Sequence, residues 1–311
     1  MKEKKILTIL GPTGIGKSSI SIALAKKLNS SIVGLDSRQI YKGLEIGTAQ
    51  PTKYEMNEVS HYLIGYEKPC VIISAGHYVK LVDEAIIKIR SKGKAPIICG
   101  GAGLYYKAIS QGIFKGSTTN LSIRNKLEIA YNKSPKKLLN FLEGIDPKYS
   151  KLVHLNNKKR LIRALEIFEI TGKSPTEHFD NQKINNYRTN GFFSVYLDMD
   201  SDKLNQRIKN RMELMFESGW IDEVESLVRR QSKTNSHYKC LDSIGYYQID
   251  DFIKNKIDEY QMREDIFIKT RQYAKRQRQW FRNQNINLNI NLSSMSIEDS
   301  INKIIRLYQK N

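Results

Sequence analysis

The sequence predicts an α/β protein with a P-loop, a doubly wound parallel sheet and an inserted helical domain. Three observations predict this class. Short apolar runs alternate with helical patterns, a glycine-rich turn joins the first run to the first helical pattern, and strand patterns disappear in the middle of the chain. Strands that alternate with helices pair in parallel. We expect residues 1–114 and 191–311 to form the α/β domain and residues 115–190 to form the insert.

The first strands and helices follow from hydrophobic periodicity. Residues 6–10 are a continuous apolar run, and residues 18–28 repeat apolar side chains at helical spacing. The segment SSIVGLDS predicts a second strand that ends at Asp36. A helix over about residues 77–90 stops near Gly93 and leads into the strand APIICGG.

Capped helices are expected in the insert. Ser134-Pro135 places an N-cap before a proline at the first helical position, and SPTE adds a capping box that Glu177 closes. The segment NKKRLIRALEIFEITG predicts a helix that stops at Gly172. After the insert, FFSVYLDMD predicts a return to the sheet, followed by two helices, a long helix over about residues 259–282 and a last short helix.

The composition favours a polyanionic partner. The 311 residues include 51 Lys and Arg against 32 Asp and Glu, a net charge of +19. No apolar run reaches the roughly 18 residues of a spanning helix, and no signal peptide opens the chain, so we expect a cytoplasmic protein without a membrane partner. Cys70, Cys99 and Cys240 show no metal-ligand spacing, so neither a disulfide nor structural zinc is expected.

The segment GPTGIGKS fits the pattern G-x-x-x-x-G-K-[ST] after a strand and before a helix. Backbone N–H groups of such a turn and the following helix N-terminus bind phosphate oxygens, Lys17 adds positive charge, and the Ser18 hydroxyl can hold Mg²⁺. Most such loops bind ATP or GTP, and the loop alone does not separate a nucleotide from another diphosphate. The predicted phosphate-binding residues are Gly11, Pro12, Thr13, Gly14, Ile15, Gly16, Lys17 and Ser18.

Two further segments follow predicted strands. Asp36 stands where an open α/β sheet places its ligands, and it either caps the next segment or pairs with Arg38, or acts as a carboxylate beside the phosphate site. Position alone leaves these alternatives even. The glycines of CGGAGLYYKAI allow a ligand to approach the backbone, but strand-to-helix turns use glycine for structural reasons at least as often.

The segment KTRQYAKRQRQWFR at residues 269–282 contains six basic residues and no acid. One helical stripe is formed by Arg271, Lys275, Arg278 and Arg282. Tyr273 and Trp280 lie seven positions apart on another side. A charge run is usually a solvated face, but arginines interleaved with aromatic residues in so basic a chain favour nucleic acid.

These four blocks, in this order, resemble the tRNA dimethylallyltransferases, also called tRNA isopentenyltransferases. The resemblance runs from the first strand to about Arg282 and includes HYLIG, NKKRLIRALE, LNQRIKNRMELMFESGWIDEV and SIGYYQ. It implies transfer of the dimethylallyl group from its diphosphate to the exocyclic amine of the adenine next to the anticodon 3′ side. The implied partners are the tRNA anticodon stem-loop and dimethylallyl diphosphate, with Mg²⁺ as cofactor. No obligate protein partner is evident, and a monomer is expected.

The resemblance also implies residue roles. Asp36 matches the general base, and Thr13, Lys17 and Ser18 match diphosphate-binding positions. Arg207 and Arg211 match arginines that approach the diphosphate, and Arg211 is the better candidate for catalysis. The implied tRNA-binding residues are Asp36, Ser37, Arg38, Gln39, Ala102, Arg124, Lys159, Arg160, Leu161, Ile162, Arg163, Arg271 and Arg278.

Two positions depart from the family pattern. Ala102 stands where the family usually has threonine, so a hydroxyl expected near the reacting adenine is missing, and Asn157 stands where it usually has aspartate. Two other functions stay open. A P-loop kinase or ATPase would turn over ATP without RNA, and a noncatalytic RNA-binding protein would bind tRNA and leave it unmodified.

Overall fold

The structure, a computed structural model, describes residues 5–112, 119–184, 191–234 and 236–311. The chain forms two compact units. We call Met1–Lys107 with Asn190–Asn311 the sheet unit, and Ala108–Thr189 the helical unit. The expected boundaries fell between residues 114 and 115 and between residues 190 and 191. Both positions lie in or at the edge of segments outside the described residues, so those boundaries stay a prediction.

The sheet unit is built on a six-stranded sheet in the order β3-β2-β4-β1-β5-β6, with every pair parallel. Its strands are β1 (Ile6–Leu10), β2 (Ser30–Leu35), β3 (His61–Tyr62), β4 (Ala95–Gly100), β5 (Phe192–Asp198) and β6 (Leu288–Asn291). The predicted α/β class with a parallel sheet is confirmed. β3 and β6 were not predicted, because β3 has only two residues and every second residue of β6 is an asparagine.

Helices flank the sheet and fill the helical unit. In chain order they are α1 (Lys17–Lys27), α2 (Lys53–Glu58), α3 (Ala75–Ser91), α4 (Gly103–Gln111), α5 (Leu121–Lys133), α6 (Pro135–Ile145), α7 (Pro147–Ser150), α8 (Lys158–Thr171), α9 (Pro175–Ile184), α10 (Ser201–Glu217), α11 (Trp220–Ser232), α12 (Tyr246–Ile253), α13 (Glu259–Phe281) and α14 (Ile297–Gln309). None of the helices in the described ranges combines the length and apolarity that a membrane crossing needs.

The strands and helices of the sheet unit pack around a buried core, and the turns after four of the strands lie at one edge of the sheet. Leu7 and Ile9 of β1, Val195 of β5, Leu24 of α1 and Ile304 of α14 are all fully buried in one cluster. Because the strands are parallel, the turns that follow β1, β2, β4 and β5 meet at the same edge of the sheet. Those turns contain the phosphate loop, Asp36 and the glycines after β4.

In the helical unit, the start of α6, the start of α9 and the end of α8 lie where the sequence predicted them. Ser134 accepts a hydrogen bond from the Lys137 amide at the start of α6. The carboxylate of Glu177 accepts from the Ser174 amide at 2.7 Å, which closes the predicted capping box. Gly172 ends α8 with a φ of 69°, a left-handed conformation that favours glycine. The buried core of this unit consists of Leu127, Leu142, Val153, Leu161, Ile162, Ala164 and Leu165.

Candidate active site

The phosphate loop joins β1 to α1 through two glycines with left-handed backbone. Gly14 has a φ of 83° and Gly16 a φ of 95°. A Cβ at Gly14 would lie 2.9 Å from Ile208, and one at Gly16 would lie 3.1 Å from Arg207. Gly16 is the residue before α1, and it has no side chain that could cap the first N–H groups of this helix. The dipole and free donors of such a helix start favour a bound anion.

Lys17 lies inside this loop. Its Nζ donates a 2.8 Å hydrogen bond to the carbonyl oxygen of Pro12. Burial lowers the pKa of Lys17 to about 8, and the smaller opposing effects of Cys99 and Asp36 do not restore its usual value. The negative charge of a bound diphosphate would stabilise the protonated form of this buried lysine, so the loop is suited to an anion.

Thr13 is held from two sides. Its backbone N–H donates to Oε1 of Gln277 at 2.8 Å, and its hydroxyl accepts from Nη2 of Arg211 at 2.8 Å. Burial lowers the pKa of Arg211, with the charge of Asp36 opposing that shift. The buried Nε of Arg211 has no hydrogen-bond partner within the described residues. Arg207, one turn earlier in α10, donates from Nε to the carbonyl oxygen of Gly14 at 2.9 Å.

Asp36 follows β2 directly and serves as a cap. Its Oδ1 accepts from the backbone amides of Arg38 at 2.8 Å and Gln39 at 3.3 Å. The capping interpretation is therefore correct. The same side chain lines a cavity with Thr13 and Arg211, so capping by one carboxylate oxygen leaves room for a second role.

That cavity has a volume of about 310 Å³ and lies entirely within the sheet unit. Its polar part is lined by Thr13, Asp36, Ser37, Arg38 and Arg211. Its apolar part is lined by Ile208, Met212, Met215, Trp220 and Ile266. Other lining residues are Gly47, Thr48, Asp242, Ser243, Ile244, Tyr246, Thr270 and Tyr273. The arrangement brings cationic and acidic groups together next to an apolar wall.

Gln39 and Ala102 have local backbone roles. The side-chain amide of Gln39 donates to the carbonyl oxygens of Thr48 at 2.9 Å and Ala49 at 2.8 Å. The backbone N–H of Ala102 donates to the Leu35 carbonyl oxygen at 3.2 Å, which ties the turn after β4 to the end of β2. The methyl side chain of Ala102 has no group that could hydrogen-bond an adenine.

The predicted tRNA-binding residues of the helical unit divide into three groups. Lys159 and Arg160 are exposed on α8. Leu161 and Ile162 are buried in the core, so their side chains can support a neighbouring RNA contact but not make one. Arg124 and Arg163 each donate at 2.7 Å to Glu166, whose carboxylate is fully buried. Burial would raise the pKa of Glu166, but the hydrogen bonds from Arg163, Arg124 and the Asn120 amide lower it overall.

The predicted basic stripe of α13 is partly engaged within the sheet unit. Arg271 donates from Nε to Asn205 at 3.1 Å, and Nε of Arg278 lies 3.0 Å from Oδ1 of Asp198. The two aromatic residues of this segment have different surroundings. Tyr273 lines the cavity, and Trp280 packs edge-on against Tyr106 with ring centroids 6.3 Å apart.

Three residues with structural roles, of which Trp220 lines the cavity, could not be found from the sequence. Gln277 links Thr13 to the Gly101 carbonyl oxygen, to which its Nε2 donates at 2.8 Å. Trp220 is buried in a slot that depends on glycine, since a Cβ at Gly47 or Gly245 would overlap its indole ring. Glu223 accepts hydrogen bonds from the amides and the hydroxyl that surround this slot: Ile46 N at 2.7 Å, Gly47 N at 3.0 Å and Tyr246 Oη at 2.8 Å.

The described residues contain no group of three or more His, Cys, Asp or Glu side chains that could hold a metal ion. Ser18 lies half-buried in the first turn of α1, next to the loop glycines. A magnesium ion at a phosphate site commonly uses one or two protein oxygens, with phosphate oxygens and water as its other ligands. The Ser18 hydroxyl is a protein oxygen that could serve such an ion next to the phosphate loop.

Comparison with known proteins agrees with this chemistry. Residues 39–284 match the family described as IPP transferase. The tRNA dimethylallyltransferase of Acetivibrio thermocellus is 36% identical over 305 residues, which cover 97% of this chain and 96% of that protein. The full-length tRNA isopentenylpyrophosphate transferase of Bacillus halodurans has a crystal structure with a TM-score of 0.69 and 32% identity, covering 99% of this chain and 95% of that one.

A third similarity extends beyond bacteria. A eukaryotic dimethylallyltransferase acting on tRNA matches with a TM-score of 0.79 and 28% identity, over 98% of this chain and 78% of that one. Sequence and structure agree across nearly the whole length of the chain. It therefore belongs to the IPP transferase family.

Proposed function

We propose that this protein transfers the dimethylallyl group from dimethylallyl diphosphate to the exocyclic amine of the adenine next to the anticodon 3′ side of tRNA. One observation carries the proposal. Thr13 and Arg211, which can bind a leaving diphosphate, line the same cavity as Asp36, which can accept a proton. Lys17 lies close enough to interact electrostatically with both Asp36 and Arg211. The relatives named tRNA dimethylallyltransferase support this assignment.

The phosphate loop would stabilise the leaving group. As the bond between the allylic carbon and its oxygen breaks, negative charge grows on the diphosphate. Lys17, Arg211 and the N–H groups at the start of α1 are positioned before the reaction, and such preorganised donors are most effective where charge develops. Mg²⁺ at Ser18 would neutralise further charge on the diphosphate. ATP would bind a loop of this type through the same phosphates, so the apolar cavity is the feature that favours an allylic donor.

The apolar wall would protect the reacting carbon. Met212, Met215 and Ile266 line the cavity beside its charged part, and their side chains can contact the methyl groups of the donor and keep water away from it. Excluding water from such a site prevents hydrolysis of an allylic centre with cationic character. The adenine must leave its stack to bring its amine to this carbon, as bases do in other enzymes that react with them.

Asp36 would accept the proton. A carboxylate is too weak a base to deprotonate a neutral adenine amine in advance. Proton loss would therefore accompany or follow formation of the carbon–nitrogen bond, when the nitrogen has become acidic. The hydrogen bonds from the Arg38 and Gln39 amides hold Oδ1 of Asp36 in place for this step.

The tRNA would be bound chiefly through charge. The net charge of +19 favours a polyanion, and Lys159 and Arg160 are exposed on α8.

We include in the proposal that the protein is cytoplasmic and acts as a monomer without an obligate protein partner.

The proposal is tested by incubating the protein with unmodified tRNA, Mg²⁺ and radiolabelled dimethylallyl diphosphate, with a parallel reaction that contains ATP in place of this donor. We expect label in the tRNA and no RNA-independent ATP turnover. ATP hydrolysis without tRNA and no use of the allylic donor would favour a kinase or ATPase. Binding of tRNA without labelling would favour a noncatalytic RNA-binding protein.

A further inference from the structure

We propose that Gln277 is a positioning residue that sets the geometry between the phosphate loop and the carboxylate of Asp36. This inference rests on the proposed function. Gln277 lies near the C-terminal end of α13, in the segment whose basic residues the sequence associates with RNA, yet it is only 7% exposed. It is buried between two glycine-containing turns at the edge of the sheet that holds the cavity.

The amide of Gln277 binds one backbone group in each turn. Oε1 accepts from the Thr13 N–H at 2.8 Å, and Nε2 donates to the Gly101 carbonyl oxygen at 2.8 Å. A carbonyl and an NH₂ group on one planar amide are suited to this pair of partners in a single orientation. The opposite orientation would place donor against donor and acceptor against acceptor.

The backbone around this amide leaves no room for adjustment. A Cβ at Gly101 would lie 2.5 Å from Nε2 of Gln277 and 2.9 Å from the carbonyl oxygen of Gly11. Close packing of this kind transmits displacement, because a shift of one group must move its neighbours. The length of the Gln277 side chain therefore fixes the separation of the phosphate loop from the turn after β4.

A continuous path joins this amide to the proposed base. Gly101 precedes Ala102, whose N–H donates to the carbonyl oxygen of Leu35 at 3.2 Å, and Leu35 precedes Asp36. On the other side, Thr13 donates its N–H to Gln277, and its hydroxyl accepts a hydrogen bond from Arg211. Gln277 thus lies between the groups that would bind the leaving diphosphate and the group that would take the proton. It touches neither reacting atom, so its effect would be on geometry.

Two substitutions separate positioning from packing. Gln277→Met keeps an unbranched side chain and removes both hydrogen bonds. Gln277→Glu restores both bonds only when protonated, because the protonated carboxyl has a hydroxyl donor for Gly101 and a carbonyl acceptor for Thr13. Burial and the facing carbonyl raise the pKa of a glutamate at such a site. The matched control is Gln279→Glu, the same change at an exposed position of the same helix.

The test measures the single-turnover rate of dimethylallyl transfer to tRNA from about pH 8 to about pH 5.5, with melting temperatures for each variant. We expect Gln277→Met to lower the rate by up to about 100-fold, with a smaller effect on the KM for tRNA. The rate of Gln277→Glu relative to wild type should rise as the pH falls, while Gln279→Glu follows wild type throughout. If Gln277→Met does not fold, the pH profile of Gln277→Glu decides.

Two results would overturn the inference while the wild type stays active. One is a wild-type rate in both Gln277 variants. The other is a folded Gln277→Glu variant whose loss of rate does not change with pH, which would reduce Gln277 to a packing residue. A wild-type protein that transfers no dimethylallyl group would instead overturn the proposed function and this inference with it.

Discussion

Nη2 of Arg211 donates a 2.8 Å hydrogen bond to Oγ1 of Thr13, a residue 198 positions earlier in the chain. This bond joins α10 to the phosphate loop and places a guanidinium at the polar end of the cavity. Because Nε of Arg211 is buried without a protein partner in the described residues, the group has donor capacity left for a ligand. The arrangement is what stabilisation of a departing diphosphate requires.

Removing this guanidinium should slow the transfer reaction more than it weakens donor binding. We expect Arg211→Gln to lower the single-turnover rate by about 10²- to 10³-fold, the usual effect of losing one preorganised donor at a developing charge. Lys209→Gln removes the same charge from an exposed position of α10 and should have little effect. Equal rates for the two variants would show that Arg211 only supports the loop.

The pKa of Lys17 predicts a pH dependence of diphosphate binding. Because burial lowers this pKa to about 8, the positive charge is present below that pH and is lost above it in the unliganded protein. We expect the affinity for inorganic diphosphate, measured by calorimetry as the ratio of wild type to Lys17→Ala, to be high near neutral pH and to fall above about pH 8. Taking this ratio cancels the ionisation of diphosphate itself. A constant ratio up to about pH 10 would assign Lys17 an ordinary lysine pKa.

Local patterns were enough to predict much of the fold and the phosphate loop. The strand, the glycine turn and the start of the helix are formed by consecutive residues, so the segment GPTGIGKS was enough to locate the loop and the start of α1. Asp36 was found for the same reason, since it directly follows β2. β6 could not be found this way, because LNIN resembles a polar loop until it pairs with β5.

Contacts between distant residues could not be predicted. Gln277 and Thr13 are 264 positions apart, and nothing near either residue indicates their bond. The sequence also shows a charged residue without showing which residue forms an ion pair with it. Arg278 looked available for RNA, but Asp198, 80 positions earlier in the chain, binds it. The sequence placed Tyr273 on one face of a helix but did not show that this face borders the cavity, because the other lining residues come from distant segments.

The two kinds of basic residue in the helical unit should respond differently to mutation. Lys159→Gln should weaken tRNA binding and reduce the slope of log affinity against log salt by roughly 0.7 to 0.9. Lys310→Gln, which removes an exposed charge after α14, should leave the slope unchanged. Fluorescence anisotropy over a salt series measures both. Identical slopes for these two variants would remove Lys159 from the RNA interface.

Arg163→Gln should instead act on stability. It removes one of two guanidinium partners from the fully buried carboxylate of Glu166. A buried charged group that loses a hydrogen bond costs roughly 1 to 3 kcal/mol, so the melting temperature should fall. Thermal unfolding followed by circular dichroism provides the check. An unchanged melting temperature together with weaker tRNA binding would return Arg163 to the RNA interface.

Asp36→Asn should separate proton transfer from capping. Asparagine keeps an oxygen that can accept from the Arg38 and Gln39 amides, and it removes the charge. We expect the single-turnover rate to fall by about 10²- to 10⁴-fold, the contribution of a positioned base, with tRNA affinity little changed. A variant that keeps nearly the full rate would leave Asp36 with its capping role alone.

Mass analysis of tRNA nucleosides tests the central claim most directly. Unmodified tRNA is incubated with the protein, Mg²⁺ and dimethylallyl diphosphate, and is then digested to nucleosides and compared with a reaction that lacks the donor. The account predicts that dimethylallyl adenosine forms only when the donor is present, and that fragment mapping places it next to the anticodon 3′ side. Tight tRNA binding with every adenosine unmodified would contradict the account.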